Sequence, residues 1–72
     1  MTASTALTVQ VNGKNRTLPS RQMLPEALAV WAFNPRLVVV EYNGEILHRQ
    51  FWAQTQIDDG DRLEVVTIVG GG

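Results

Sequence analysis

Apolar and polar side chains alternate through Leu7-Thr8-Val9-Gln10-Val11, the two-residue period of a half-buried strand. Asn12-Gly13 follows as a hairpin-turn pair, so residues 15–18 return as a second strand that Pro19-Ser20 ends. Across 24–33 the pattern changes: Leu24, Ala27, Leu28, Trp31 and Ala32 recur at helical spacing. Pro25 suits the first turn of that helix, where its missing N–H removes no bond. Asn34-Pro35 stops it, because a residue before proline disfavours the helical region. Gln22 and Met23 are weak N-caps, so the pattern leaves the helix start loosely fixed.

Residues 37–42 are rich in β-branched side chains and run into a second turn pair, Asn43-Gly44, after which 45–48 makes a short return strand. The stretch 49–56 has no clean period, and its Phe51 and Trp52 are expected to pack under a loop. Asp58-Asp59-Gly60-Asp61 is a turn, and 62–68 is the last strand. One helix and one mixed sheet in a single chain give an α+β, two-layer fold, the helix lying across the sheet.

Strand alternation sorts the side chains by face. Leu63 and Val65 point to the core with Val38, Val40 and Tyr42. Val39, Glu41, Glu64, Val66 and Ile68 face outward. Val39, Val66 and Ile68 are therefore expected to form a small exposed apolar patch beside the C-terminal residues, a candidate docking surface.

A chain of 72 residues is one small domain, since a core of this size buries only about 60% of the unfolded chain's surface. Residues 1–5 are expected to fray and 69–72 to form a flexible tail. So small a core has few residues to spare for a deep, supported catalytic pocket, which favours a carrier or binding module over an enzyme. Six basic against seven acidic residues leave a formal charge of -1, too little positive charge to read a phosphate backbone or an anionic membrane. Cysteine is absent, which removes disulfides, thiolate metal sites and cysteine nucleophiles. The longest apolar runs are far short of the roughly 20 residues that span a bilayer, and no basic-then-apolar signal opens the chain. The expected setting is the cytoplasm.

Four further features have plain structural readings. Asp58, Asp59 and Asp61 lack the spaced oxygens and distal glutamate of a calcium loop and read as a solvated turn, so no metal site is expected. His48 has no positioned partner for acid–base work and reads as a surface residue. Trp31, Phe33, Phe51 and Trp52 have no basic residues interleaved with them, so they read as core and not as a base-stacking platform. The terminal glycines, taken alone, are ordinary for a frayed end.

Taken together, three stretches resemble the ThiS family of sulfur carrier proteins of thiamine biosynthesis, which are ubiquitin-like beta-grasp domains. They are Val38-Val39-Val40-Glu41-Tyr42-Asn43-Gly44-Glu45-Ile46, then Asp59-Gly60-Asp61-Arg62-Leu63-Glu64-Val65-Val66, then Val69-Gly70-Gly71-Gly72. The opening strand and turn, from Leu7 to Gly13, also fit. The chain departs from the family at Met23-Leu24-Pro25, where a serine or threonine cap is usual, and at Thr67-Ile68-Val69.

The resemblance implies a role for each tail residue. The Gly72 carboxylate is the sulfur-carrying group, and Val69, Gly70 and Gly71 thread partner sites, where a missing side chain avoids clashes in a narrow channel. A free carboxylate is a poor electrophile and needs activation, such as adenylation. The implied partners are a ubiquitin-activating-type adenylating enzyme using ATP and Mg, a sulfur donor such as a cysteine desulfurase, and thiazole synthase. No cofactor is held permanently and the chain itself catalyses nothing. Three alternatives remain: a molybdopterin-type carrier with another acceptor, a ubiquitin-like modifier conjugated through Gly72, and a regulatory domain whose tail is incidental.

Overall fold

The computed structural model describes residues 6–68; the expectations for residues 1–5 and 69–72 lie outside the described residues. The elements are β1 (Leu7–Val11), β2 (Lys14–Leu18), β3 (Gln22–Met23), α1 (Leu24–Val30), β4 (Val38–Tyr42), β5 (Glu45–Leu47), β6 (Gln56–Ile57) and β7 (Arg62–Thr67). Two 3₁₀ turns, Pro35–Leu37 and Arg49–Gln54, link α1 to β4 and β5 to β6. Five strands form one mixed sheet in the order β2-β1-β7-β4-β5. β1 and β7 run parallel at its centre, and the other pairs are antiparallel. This is the ubiquitin-like beta-grasp architecture.

Alternation along the strands decides what α1 covers. Val9 and Val11 of β1, Val38 and Val40 of β4, and Leu63 and Val65 of β7 are buried with Leu24, Ala27 and Leu28 of the helix. Removing each such aliphatic side chain from water contributes about 1.5–3 kcal/mol. Trp31 closes one end of the core, its indole N–H donating to the Thr17 carbonyl at 3.2 Å. Trp52 closes the other, donating to the Leu47 carbonyl at 2.9 Å.

The helix is shorter than its periodicity suggests: it ends at Val30, not at residue 33. Ala32 adopts a positive φ of 65°. Its N–H donates to the Ala29 carbonyl at 3.1 Å, and the Phe33 N–H reaches back to Leu28 at 2.9 Å. This paired closure is a Schellman motif, which stops the helix before Pro35 is reached. At the other end Met23 is the N-cap without a side-chain bond, and its N–H is taken by Glu26 Oε1 at 3.0 Å. The glutamate thus makes the reciprocal half of a capping box, bonding the N-cap N–H, and leaves unmade the bond a capping serine would offer the third helical N–H.

Other boundaries moved for local reasons. Leu37 belongs to the 3₁₀ turn, β5 stops at Leu47, and β7 stops at Thr67. Gln22–Met23 and Gln56–Ile57, expected as a helix lead-in and as aperiodic chain, pair as a two-stranded antiparallel ribbon. Trp52 packs inward as expected, but Phe51 is an exposed large hydrophobic residue and not a core one. In the 3₁₀ turn the two neighbours point different ways, and only Trp52 reaches the core.

Candidate functional site

The path of β7 into the C-terminal residues is set by two asparagines, each at the head of a hairpin. Asn12 and Asn43 have φ values of 53° and 51°, the left-handed region that Asn tolerates and Asn-Gly hairpins require. Both side chains then bond β7. Asn12 Oδ1 accepts from the Val65 N–H at 2.7 Å and its Nδ2 donates to the Val65 carbonyl at 3.0 Å. Asn43 Oδ1 accepts from the Arg62 N–H at 2.8 Å, while its own N–H donates to the Arg62 carbonyl at 2.7 Å. Turn chemistry alone flagged these residues, but their second role depends on sheet order and was not visible in the sequence.

The acidic turn ties down the start of β7. Asp59 Oδ1 accepts from the Thr8 N–H at 2.8 Å, and Asp61 Oδ2 accepts from the Asp58 N–H at 2.8 Å. The Tyr42 hydroxyl also donates to Asp61 Oδ2. Burial pushes the Tyr42 phenol well above its ordinary value, helped by that bond and by the Asp61 and Asp58 charges. Asp59 and Asp61 are thus occupied in holding backbone and hydroxyl groups. Among the described residues no group of three His, Cys, Asp or Glu side chains converges on a metal position.

At the far end of β7 the expected patch is assembled. Val39 and Val66 are direct cross-strand partners, and the Ile68 N–H donates to the Leu37 carbonyl at 2.6 Å, one step beyond the last strand residue. Val39 is 41% exposed, Val66 60% and Ile68 52%. A fourth member, Ile46, is 62% exposed and lies opposite Glu41, on the same outward face. Ile46 is not among the residues expected in the patch, although the Asn43-Gly44 turn already places residue 46 across from residue 41. Val69, Gly70, Gly71 and Gly72 lie outside the described residues.

The patch is not flat. A groove of about 170 Å³ opens at its edge, lined by Val39, Ile46, His48, Arg49, Trp52 and Ile68 among others. Arg49 shapes its wall: one guanidinium nitrogen donates to the Pro35 carbonyl at 2.6 Å, and the group lies 4.5 Å from the centre of the Trp52 ring. His48 is exposed, as expected, and its side chain makes no capping bond. A polar hollow of about 480 Å³ lies at the opposite end of β7, between Thr8, Asn43, Asp59 and Arg62. Its residues are those that fix the strand start. No helix among the described residues is long and apolar enough to cross a membrane.

Comparison with known proteins agrees with this geometry. The ThiS family model matches residues 9–72. An uncharacterized protein, ycf40, of Trieres chinensis is 39% identical over 69 residues, 96% of this chain and 94% of that protein. The sulfur carrier protein ThiS of Bacillus subtilis is 31% identical over 65 residues, 89% of this chain and 98% of its own. A thiazole synthase of Paramagnetospirillum magneticum is 36% identical over 62 residues, 86% of this chain but only 19% of that longer protein. Among solved structures, the thiamine biosynthesis protein ThiS from Geobacter metallireducens superposes with a TM-score of 0.76 at 35% identity, covering 92% of this chain and all of that one.

Proposed function

The chain belongs to the ThiS family, and on that footing we propose that it is a sulfur carrier of thiamine biosynthesis whose working group is the Gly72 carboxylate. An adenylating enzyme of the ubiquitin-activating type, using ATP and Mg, converts that carboxylate to an acyl adenylate. This makes AMP the leaving group that a free carboxylate lacks. Persulfide sulfur from a donor such as a cysteine desulfurase attacks the acyl carbon; a C–S bond forms as the C–O bond to AMP breaks. A second thiol of the donor then cleaves the S–S bond and frees the thiocarboxylate. Thiazole synthase takes that sulfur into the thiazole ring and returns the carboxylate. The chain is a carried co-substrate in this cycle, and the catalytic groups belong to its partners.

What supports the reading is that the family match runs through Gly72, and that Ile68, the last described residue, donates to the Leu37 carbonyl just past the strand that carries the exposed Val66. A carrier needs such a surface, because a glycine tail alone offers a partner little to recognise. Val39, Val66 and Ile68 are the proposed docking residues, and Val69, Gly70 and Gly71 the proposed threading segment.

The test is intact mass after incubation with the adenylating enzyme, Mg-ATP and a sulfur donor, beside a control lacking Gly72. A gain equal to the replacement of one oxygen by sulfur, absent from the control, is the expected result. No gain with a folded carrier and an active enzyme would sink the proposal.

A further inference from the structure

The N–H of Ile68 donates to the Leu37 carbonyl at 2.6 Å. That carbonyl ends the 3₁₀ turn Pro35–Leu37, none of whose three residues is buried. The bond that finishes β7 is therefore carried by a turn with no side chain anchored in the core. The turn's local bonds close within it: Asn34 Oδ1 accepts from the Arg36 N–H at 3.0 Å, and the Asn34 carbonyl accepts from the Leu37 N–H at 3.0 Å. Among the described residues, the side chain that bonds this turn from elsewhere in the fold is Arg49.

One terminal guanidinium nitrogen of Arg49 donates to the Pro35 carbonyl at 2.6 Å, and the other makes a long bond to the Val38 carbonyl at 3.5 Å. These two carbonyls bracket Leu37, so one planar group holds the chain on either side of the residue that accepts from Ile68. β5 stops at Leu47, and continuing its register with β4 puts residue 49 opposite residue 38. Arg49 thus occupies with its side chain the strand edge that β5 leaves open. The guanidinium is itself held in place, 4.5 Å from the centre of the Trp52 ring. Trp52 is buried, with its indole N–H on the Leu47 carbonyl at 2.9 Å. A ring locked in the core presets the position of the cation above it. The rigid fork of donors spans two carbonyls, where an ammonium is a single point charge.

We propose that Arg49 is a positioning residue for the carrier reaction. Stacked on Trp52, it holds residues 35–38; these hold Ile68, and Ile68 fixes the point in the fold from which the chain continues toward Gly72. This rests on the carrier reading above and adds a residue, outside the tail and the apolar patch, on which the reaction depends. The dependence is geometric, since a misplacement of about 1 Å remote from the reacting atoms can cost about a hundredfold in rate.

The experiment compares the full chain with Arg49→Gln and the milder Arg49→Lys in two measurements. One is amide hydrogen exchange followed by NMR. The other is the rate of thiocarboxylate formation against carrier concentration, with the adenylating enzyme, Mg-ATP and a sulfur donor. Arg49→Gln is expected to lower the protection of the Ile68 N–H at least about tenfold, because the bonds lost have a charged donor. The Val65 N–H, on the same strand but held by Asn12 Oδ1, keeps its protection within about twofold. Turnover at saturating carrier falls at least about fivefold, while the KM for the carrier changes by less than about twofold. Arg49→Lys moves Ile68 protection and turnover in the same direction by less, since the charge stays and the fork is lost. Equal losses at Ile68 and Val65 would overturn the proposal and leave Arg49 a general stabiliser. Unchanged Ile68 protection in the folded variants would overturn it as well, and a raised KM beside it would make Arg49 a partner contact. Lost protection with unchanged turnover would confine Arg49 to the fold and sink the positioning role. If the parent chain forms no thiocarboxylate, the carrier reading fails, and exchange at Ile68 still decides whether Arg49 holds the end of the strand.

Discussion

Asn12 grips both backbone groups of Val65, accepting from its N–H at 2.7 Å and donating to its carbonyl at 3.0 Å, across 53 residues of sequence. The β1–β7 ladder itself pairs Gln10 with Arg62 and Val11 with Leu63. The asparagine extends that parallel pairing by one step after β1 has already turned away. Hairpin and central strand are thus locked by one side chain.

Asn12→Gly separates its two roles. Glycine keeps the positive φ of 53° available but removes both side-chain bonds, so the loss measures the grip together with the added freedom of the unfolded backbone. Urea unfolding is expected to show a decrease of about 1–3 kcal/mol, the usual cost of leaving partly buried backbone groups unpaired. A change near zero would mean that water replaces the amide at no cost.

Tyr42 makes stability depend on alkaline pH. Its phenol is raised above the ordinary value by burial first, then by its bond to Asp61 and the charges of Asp61 and Asp58. Unfolded tyrosine loses its proton near about pH 10 while the folded chain still holds it, so the unfolded state binds fewer protons and stability falls as pH rises beyond that point. Below about pH 10 the contribution is fully present. Tyr42→Phe should cost about 1.5–3 kcal/mol at neutral pH, for a bond to a charged acceptor. It should also fall less steeply than the parent in thermal melts carried above about pH 10. Parallel curves for the two proteins would count against the assignment.

Ala32 closes α1 at a φ of 65°, where a side chain with a Cβ is strained and glycine is not. Ala32→Gly is expected to stabilise the chain by about 0.5–1 kcal/mol, the relieved strain exceeding the added freedom of the unfolded backbone. A drop in the urea midpoint would show that the alanine methyl contributes packing that outweighs its strain.

The five principal strands were readable because Leu7–Val11 follows a two-residue period, residues 37–42 are rich in β-branched side chains, and Asn-Gly, Pro-Ser and Asp-Gly signals bound the others. The outward positions of Val39, Val66 and Ile68 came from the same period. The helix end was misplaced because Trp31 and Ala32 keep the helical spacing while the Schellman closure at Ala32 has no glycine to announce it. The β3–β6 ribbon is two residues on each side, too short for any period, and exists because α1 and the second 3₁₀ turn bring its halves together. Phe51 and Trp52 could not be told apart: a 3₁₀ turn sends neighbours in different directions, and no pattern in 49–56 fixes its phase.

The docking role of the patch is best tested with a change that the fold barely registers. Val39→Thr/Val66→Thr keeps β-branching and shape at positions 41% and 60% exposed, so the stability of the free chain should move by less than about 0.5 kcal/mol per site. On a docked surface the same hydroxyls lose water without gaining partners, at about 1–3 kcal/mol each. The apparent KM for the carrier in thiocarboxylate formation should therefore rise at least about tenfold. The turnover at saturation should hold, since the carboxylate proposed to react, at Gly72, is untouched. An unchanged KM in a folded double variant would leave the exposed valines as ordinary strand residues. A lower turnover at unchanged KM would place them in the alignment of the tail and not in recognition.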